Sequence, residues 1–224
     1  MIEVEGVTHR LGDRAVLDDV SVVLGERRIA IVGANGSGKS TFARLLNGLV
    51  EPDAGRVVVD GRDTVSDGAA VRRHVGFVFT NPDAQIVMPT VAEDVGLSLR
   101  RSRMDKDQIR QRVAEALAAV GLTGFDDRPS HLLSGGEKQL LALAGVLVAR
   151  PDVLVCDEPT TLLDLRNTQR VMAILSGLDQ QVVMITHDLD VLALFDRVLV
   201  FEAGRIVADA GPAEAVAAYR ALVG

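Results

Sequence analysis

Short apolar runs rich in valine and isoleucine punctuate this chain, and glycine or a polar pair closes most of them. The clearest is RRIAIVG at residues 27–33, and similar runs recur at Val57–Asp60, Val75–Phe79, Val153–Asp157, Val182–Thr186, Arg197–Phe201 and Arg205–Ala208. Continuous β-branched runs of this length predict strands buried on both faces. Helix-like segments alternate with several of them, which predicts an α/β fold with a sheet mainly parallel at its centre. The early strands, about residues 2–7, 16–24 and 57–79, are divided by turn pairs such as Gly12-Asp13 and Asp60-Gly61. They read as antiparallel structure at the edge of the fold.

From about residue 90 to 150 the apolar spacing changes to that of helices. Ile109, Val113, Leu117 and Val120 share one helical face, Asp105 and Gln108 have the spacing of a cap, and Gly121 stops the helix. A helical subdomain at about 90–150 is therefore expected inside a single domain, with the core at about 1–89 and 151–224. The tail from Pro212 reads as a closing helix, with Val216, Tyr219 and Leu222 in packing roles. Near the end of the helical block stands LLSGGEKQLL, residues 132–141. Ser134 and Glu137 have capping-box spacing, so a helix starting there would aim bare amides and its positive dipole end at an anion.

Composition narrows the class. The net charge of −7 and pI near 5.1 over 224 residues argue against a general nucleic-acid binder. The single cysteine, Cys156, leaves no disulfide framework and suits a reducing compartment. The longest apolar stretch, Leu140–Ala149, falls well short of the roughly 18 residues of a membrane span, and MIEVEGVTHR lacks a signal-peptide layout. A soluble intracellular chain is expected. Of 24 basic residues only Lys39, Lys106 and Lys138 are lysine, a bias that fits genomic composition.

Lys39 falls inside GANGSGKS, residues 33–40, which matches G-x-x-x-x-G-K-[ST] directly after a strand. In such a loop Gly33, Gly36 and Gly38 let backbone amides turn inward around phosphate oxygens, with Ala34, Asn35 and Ser37 between them. Lys39 neutralises the β/γ-phosphates, and the Ser40 hydroxyl can ligate Mg²⁺. Thr41, next along the chain, is counted with residues 33–40 as ATP-binding. In VLVCDE, residues 153–158, an apolar strand delivers two carboxylates to opposite faces, so they cannot share one job. Asp157 suits the Mg²⁺ side and Glu158 suits polarising the attacking water. His187 also follows a buried strand, where an imidazole either caps the chain or meets a γ-phosphate or the water. His9, His74 and His131 read as bland, with no partner nearby.

GANGSGKS, LSGGEKQ, VLVCDEP, TLLD at 161–164 and His187, in this order, resemble the ATP-binding-cassette (ABC) ATPases over essentially the whole chain. LSGGEKQ is the most specific part, because a small-molecule P-loop kinase does not explain it. The resemblance implies the P-loop NTPase fold of this family, with ATP as substrate and Mg²⁺ as cofactor. It implies catalysis by Glu158 with His187 stabilising the γ-phosphate, and a D-loop at Asp164. It also implies a head-to-tail dimer, in which Ser134, Gly135, Gly136 and Glu137 cap the ATP held by the other subunit. NPDAQIVMPTVAEDV, residues 81–95, looks like the ATPases of energy-coupling-factor transporters, and MPTVAED with TTLLDLRN looks closest to the biotin-transporter ATPase. Such a chain would sit on the cytoplasmic face of the membrane, beside a transmembrane coupling subunit and a substrate-binding membrane subunit. Ile86, Val87, Met88 and Val91 would be either subdomain core or part of the docking groove. The rival reading is a soluble cassette protein acting on nucleic acid or ribosomes, but its usual coiled-coil insertion, tandem cassettes and basic patches are lacking.

Two positions depart from the family. Thr80 stands where a metal-sensing glutamine is usual; threonine offers Mg²⁺ one oxygen at a shorter reach, and Gln85, five residues on, is left for docking. Leu11 stands where an aromatic residue usually stacks on adenine.

Overall fold

The computed structural model describes residues 1–224, apart from the side chain of Val223. The chain runs β1 (Ile2–Leu11), β2 (Arg14–Leu24), β3 (Arg28–Gly33), α1 (Lys39–Leu46), β4 (Ala54–Val59), β5 (Arg62–Asp63), α2 (Gly68–His74) and β6 (Val75–Val78). There follow α3 (Val91–Leu97), α4 (Lys106–Ala119), α5 (Gly135–Leu147), β7 (Val153–Asp157), α6 (Leu165–Gly177), β8 (Gln181–Ile185), β9 (Arg197–Glu202), β10 (Arg205–Ala210) and α7 (Pro212–Val223). Six strands form the central sheet in the order β10-β9-β3-β8-β7-β6, all neighbours parallel except the β9–β10 hairpin. A second, antiparallel sheet has the order β2-β1-β4-β5.

Strand alternation divides the interior into two cores. On β3, Ala30 and Val32 pack with the helical block, whereas Ile29 and Ile31 pack with α1 and the antiparallel sheet. On β7, Leu154 and Cys156 face the first core and Val153 and Val155 the second. Both faces of these strands are covered, which is why they read as unbroken apolar runs. Every residue of β3 and β7 is buried.

The inserted helices follow the expected spacing. Asp105 accepts hydrogen bonds from the amides of Asp107 and Gln108, and Gln108 Oε1 accepts one from the Asp105 amide. Val113, Leu117 and Val120 are buried, and Gly121 leaves the helix at φ +71°.

Three expectations need correction. The span 57–79 is not antiparallel throughout, because helix α2 interrupts it and β6 joins the central sheet parallel to β7. Leu222 is exposed, so only Val216 and Tyr219 of the predicted α7 face reach the core. His74 and His9 do have partners, brought from distant sequence. His74 lies 2.6 Å from both Asp60 and Asp152, and His9 lies 3.3 Å from Asp53.

Candidate functional site

β3 delivers the phosphate loop and α1 carries it away. Two glycines are demanded by close packing under it. A Cβ on Gly33 would stand 2.2 Å from the Phe201 carbonyl, and one on Gly38 would stand 2.5 Å from the Val16 carbonyl. The loop therefore rests on β9 and β2 with no room for side chains beneath it. Lys39 is buried and its ammonium donates to the carbonyls of Gly33 (2.7 Å) and Ala34 (2.8 Å), folding back over its own loop. Burial lowers its pKa, partly offset by the charges of Glu158 and Asp157. Ser37 Oγ is buried without a hydrogen-bond partner.

The two carboxylates at the end of β7 divide as their alternation requires. The Ser40 hydroxyl donates to Asp157 Oδ1 at 2.9 Å, and Arg44 approaches Oδ2 at 3.8 Å. Burial pushes the Asp157 carboxyl above its usual range, with Ser40 and Arg44 pulling the other way. Glu158 turns off the strand at φ +51° while its amide still donates to the Ile185 carbonyl at 3.1 Å. The Thr161 hydroxyl donates to Glu158 Oε2 at 2.9 Å, and His187 Nδ1 lies 3.3 Å from the same oxygen.

A cavity of about 260 Å³ opens over the loop, and Leu11 and Arg14 join Lys39, Ser40, Thr41 and Glu158 in lining it. The structure thus gathers the loop, Asp157, Glu158 and His187 around one place. The residues Ser134–Glu137 and Asp164 line no part of that cavity. Ser134 caps α5 in the expected box: Glu137 Oε2 accepts from both the amide and the hydroxyl of Ser134 at 2.8 Å. These bonds hold the Glu137 carboxyl below its usual range. Asp164 caps α6 by accepting from the Asn167 amide at 2.8 Å, and Asn167 packs flat against Gly136. The start of α6 therefore lies against the start of α5.

Thr80 Oγ1 donates to the Asp157 backbone carbonyl at 2.8 Å, a structural contact. The Gln85 side chain accepts from the Phe79 amide at 3.2 Å and donates to the Ala142 carbonyl at 3.0 Å, tying the core to α5. The stretch 86–91 divides between its two readings. Val91 is fully buried and Ile86 packs on the core, whereas Val87 is 64% exposed. Asp94 shapes the bend between them by accepting from the amides of Val87 (2.8 Å) and Met88 (2.9 Å). Sequence reasoning missed Arg14, Arg44, Thr161 and Asn167. Arg14 sits three positions from Leu11 across a hairpin turn, and Thr161 three positions from Glu158, so spacing offered a signal for both.

The family profile described as ABC transporter matches residues 17–161. An ABC transporter ATP-binding protein of Deinococcus radiodurans is 56% identical over 220 residues, 98% of this chain and 97% of the relative. The biotin transport ATP-binding protein BioM of Rhizobium etli is 45% identical over 221 residues, 99% of this chain and 98% of the relative. Among solved structures, a dimeric ATP-binding cassette in a post-hydrolysis state with ADP and Pi superposes with a TM-score of 0.84. It is 29% identical, with 95% of this chain and 99% of that chain covered.

Proposed function

The chain belongs to the ABC transporter ATPases, and from that premise we propose that it is the ATP-hydrolysing subunit of an energy-coupling-factor importer for a vitamin, biotin first, or a metal ion. It is an ABC-type ATPase whose hydrolysis of ATP is coupled to transport. The observation that carries the composite-site reading is the capped start of α5. Its first amides have no intrahelical partners, and two bare leucines flank it: Leu132 (72% exposed), two residues before the cap, and Leu165 (74%), two residues before the Asn167 that meets Gly136. A second copy of the chain, docked head to tail, would cover these leucines and place its own ATP before Ser134, Gly135 and Gly136. The dimeric cassette that this chain resembles supports that arrangement.

Within each subunit the residues take distinct tasks. Lys39 exchanges the carbonyls of Gly33 and Ala34 for phosphate oxygens, and the amides from Ala34 to Thr41 wrap them. The Ser40 hydroxyl and Asp157 carboxylate, 2.9 Å apart, fit the hard oxygen donors that Mg²⁺ prefers, and they would hold it. When bound, Mg²⁺ supplies charge neutralisation at the β- and γ-phosphates. Glu158 takes the proton of the attacking water through Oε1, since Thr161 and His187 occupy Oε2. His187 stabilises the γ-phosphate. Asp164 fixes the start of α6 against the signature turn of its own subunit.

The importer reading draws on the biotin transport relative and on the loop 81–89, whose Gln85 lies, with Phe79, beside a wider cavity of about 880 Å³. That cavity lies between the core and the helical block, where a transmembrane coupling subunit would dock, and Val87, two residues after Gln85, is exposed. Purification of the tagged chain from membranes in mild detergent tests the reading. Recovery of a polytopic membrane subunit, with ATP hydrolysis in the complex, is the expected result. Recovery of ribosomes or nucleic acid instead would overturn it.

A further inference from the structure

The adenine end of the site has no aromatic residue to receive it. The chain has no tryptophan, its one tyrosine is on α7, and no phenylalanine lines the phosphate-loop cavity. Leu11 and Arg14 line it instead. They are register partners across the Gly12-Asp13 turn, so the β1–β2 hairpin places an apolar side chain and a guanidinium next to each other. Arg14 Nη2 donates to the Gly36 carbonyl at 3.3 Å, which fastens the guanidinium to the crown of the phosphate loop. Among the described residues Arg14 has no carboxylate within ion-pairing distance, unlike Arg56, Arg197 and Arg205. It is exposed beside the loop, and the Gly36 carbonyl is its side chain's one polar contact among the described residues.

We propose that Arg14 is a nucleotide-base residue: its guanidinium plane stacks on the purine beside Leu11, in place of an aromatic ring. This rests on reading the cavity as the ATP site. A guanidinium is flat and delocalised, stacks on π faces, and is weakly hydrated for a cation. Phosphates held by Lys39 and the loop amides leave the nucleoside to emerge at the rim, where Arg14 is tethered. Stacking reads the face of a base and not its edge, so it is tolerant of base identity. The site therefore discriminates weakly between adenine and guanine.

Binding of ATP, GTP and inorganic tripolyphosphate to the full chain, measured by calorimetry in the presence of Mg²⁺, tests this. Arg14→Ala should weaken ATP and GTP alike by about three- to thirtyfold, the range of cation–π and base-stacking contacts. Tripolyphosphate, which has no base, should bind the variant as it binds the parent. Arg14→Lys should recover little, because an ammonium is not planar, whereas Arg14→Tyr should restore nucleotide affinity. An equal loss for tripolyphosphate would make Arg14 a phosphate contact and overturn the proposal, as would unchanged affinity for all three. Lys39→Ala separates the two levels. If it leaves all three ligands bound normally, the cavity is not the phosphate site and the underlying reading falls.

Discussion

His187 Nδ1 and the Thr161 hydroxyl converge on a single oxygen of Glu158, at 3.3 and 2.9 Å, and leave the other oxygen without a partner among the described residues. A carboxylate so held cannot rotate freely, and its open oxygen is the one that can take a proton from water. Glu158→Gln keeps the shape and both contacts but removes the base. Turnover should fall by about 10²–10⁴ with ATP binding retained. Steady-state hydrolysis and equilibrium binding, measured on the same preparation, check it, and near-normal hydrolysis would remove Glu158 from this role.

His187→Ala removes one of the two side chains that converge on Glu158, together with the phosphate contact proposed for it. The expected loss is about 10²-fold in kcat, within the range of positioned acid–base and electrostatic groups, with ATP affinity changed only a few-fold. Thr161→Val, which removes only the hydroxyl contact, should cost less. Single-turnover rates distinguish the two, and a larger defect for Thr161→Val would reverse the ranking argued here.

How much of this was visible in the sequence depends on how local each feature is. The phosphate loop, the two carboxylates and the Ser134–Glu137 box lie within short stretches, so spacing alone predicted them. Strands β3 and β7 were equally plain, because burial on both faces leaves no polar position to blur the pattern. Strand β6 was misassigned because parallel or antiparallel pairing is settled by the partner, and Val153–Asp157 lies far along the chain. The contact of His74 with Asp152 was hidden for the same reason. The structural part of Gln85 was not legible, because nothing near it in sequence announces its bond to Ala142.

The signature glycine carries a steric demand that can be tested. A Cβ at Gly136 would fall 2.4–2.7 Å from the side-chain atoms of Asn167. Asn167 must then move, and with it the turn that Asp164 caps. Gly136→Ala should leave ATP binding by the isolated subunit intact and impair both nucleotide-dependent dimerisation and hydrolysis, by about tenfold or more in kcat. Asn167→Ala in the same chain should recover part of the loss. Light scattering of the Glu158→Gln background with and without Mg-ATP reads the dimer directly. A full defect that persists in the double variant would show that the clash with Asn167 is not its cause.

Asp157 sets stability against function. Its carboxyl titrates above the usual carboxylate range because burial disfavours the charge, so the folded state binds a proton more readily than the unfolded chain. The ionised form is then a cost to folding at neutral and alkaline pH, and this cost shrinks as pH falls below the folded-state value and is gone below the ordinary carboxylate value. Asp157→Asn should raise the Tm of the nucleotide-free protein at pH 8, with the gap to the parent closing towards pH 4. It should also abolish Mg²⁺-dependent hydrolysis. A Tm gap that widens on acidification would contradict this sign.

Thr80 gives the clearest separation between metal binding and structure. Its hydroxyl is spent on the backbone carbonyl of Asp157, at 2.8 Å, where it holds the end of β7 against the end of β6. Threonine carries its oxygen one carbon from the backbone, so with the hydroxyl anchored on that carbonyl its reach towards a metal beside Ser40 is short. A metal held by Ser40, Asp157, phosphate oxygens and water is already close to octahedral, and Mg²⁺ accepts water in its remaining positions. Thr80→Ala should therefore lower stability by about 1 kcal/mol, the usual worth of one such hydrogen bond, while hydrolysis by the isolated subunit stays within a few-fold. Thr80→Gln should leave Mg-ATP affinity within a few-fold as well, and alter chiefly the ratio of uptake to hydrolysis in the intact complex. Residue 80 opens the loop that runs through Gln85 to Val87, and a longer side chain there disturbs the link between α5 and the core. Denaturant unfolding, Mg²⁺ titration of hydrolysis and uptake by the complex measure the three quantities. If Thr80→Ala folds, binds ATP and yet loses Mg²⁺-dependent hydrolysis, Thr80 is a metal ligand and its bond to Asp157 is incidental.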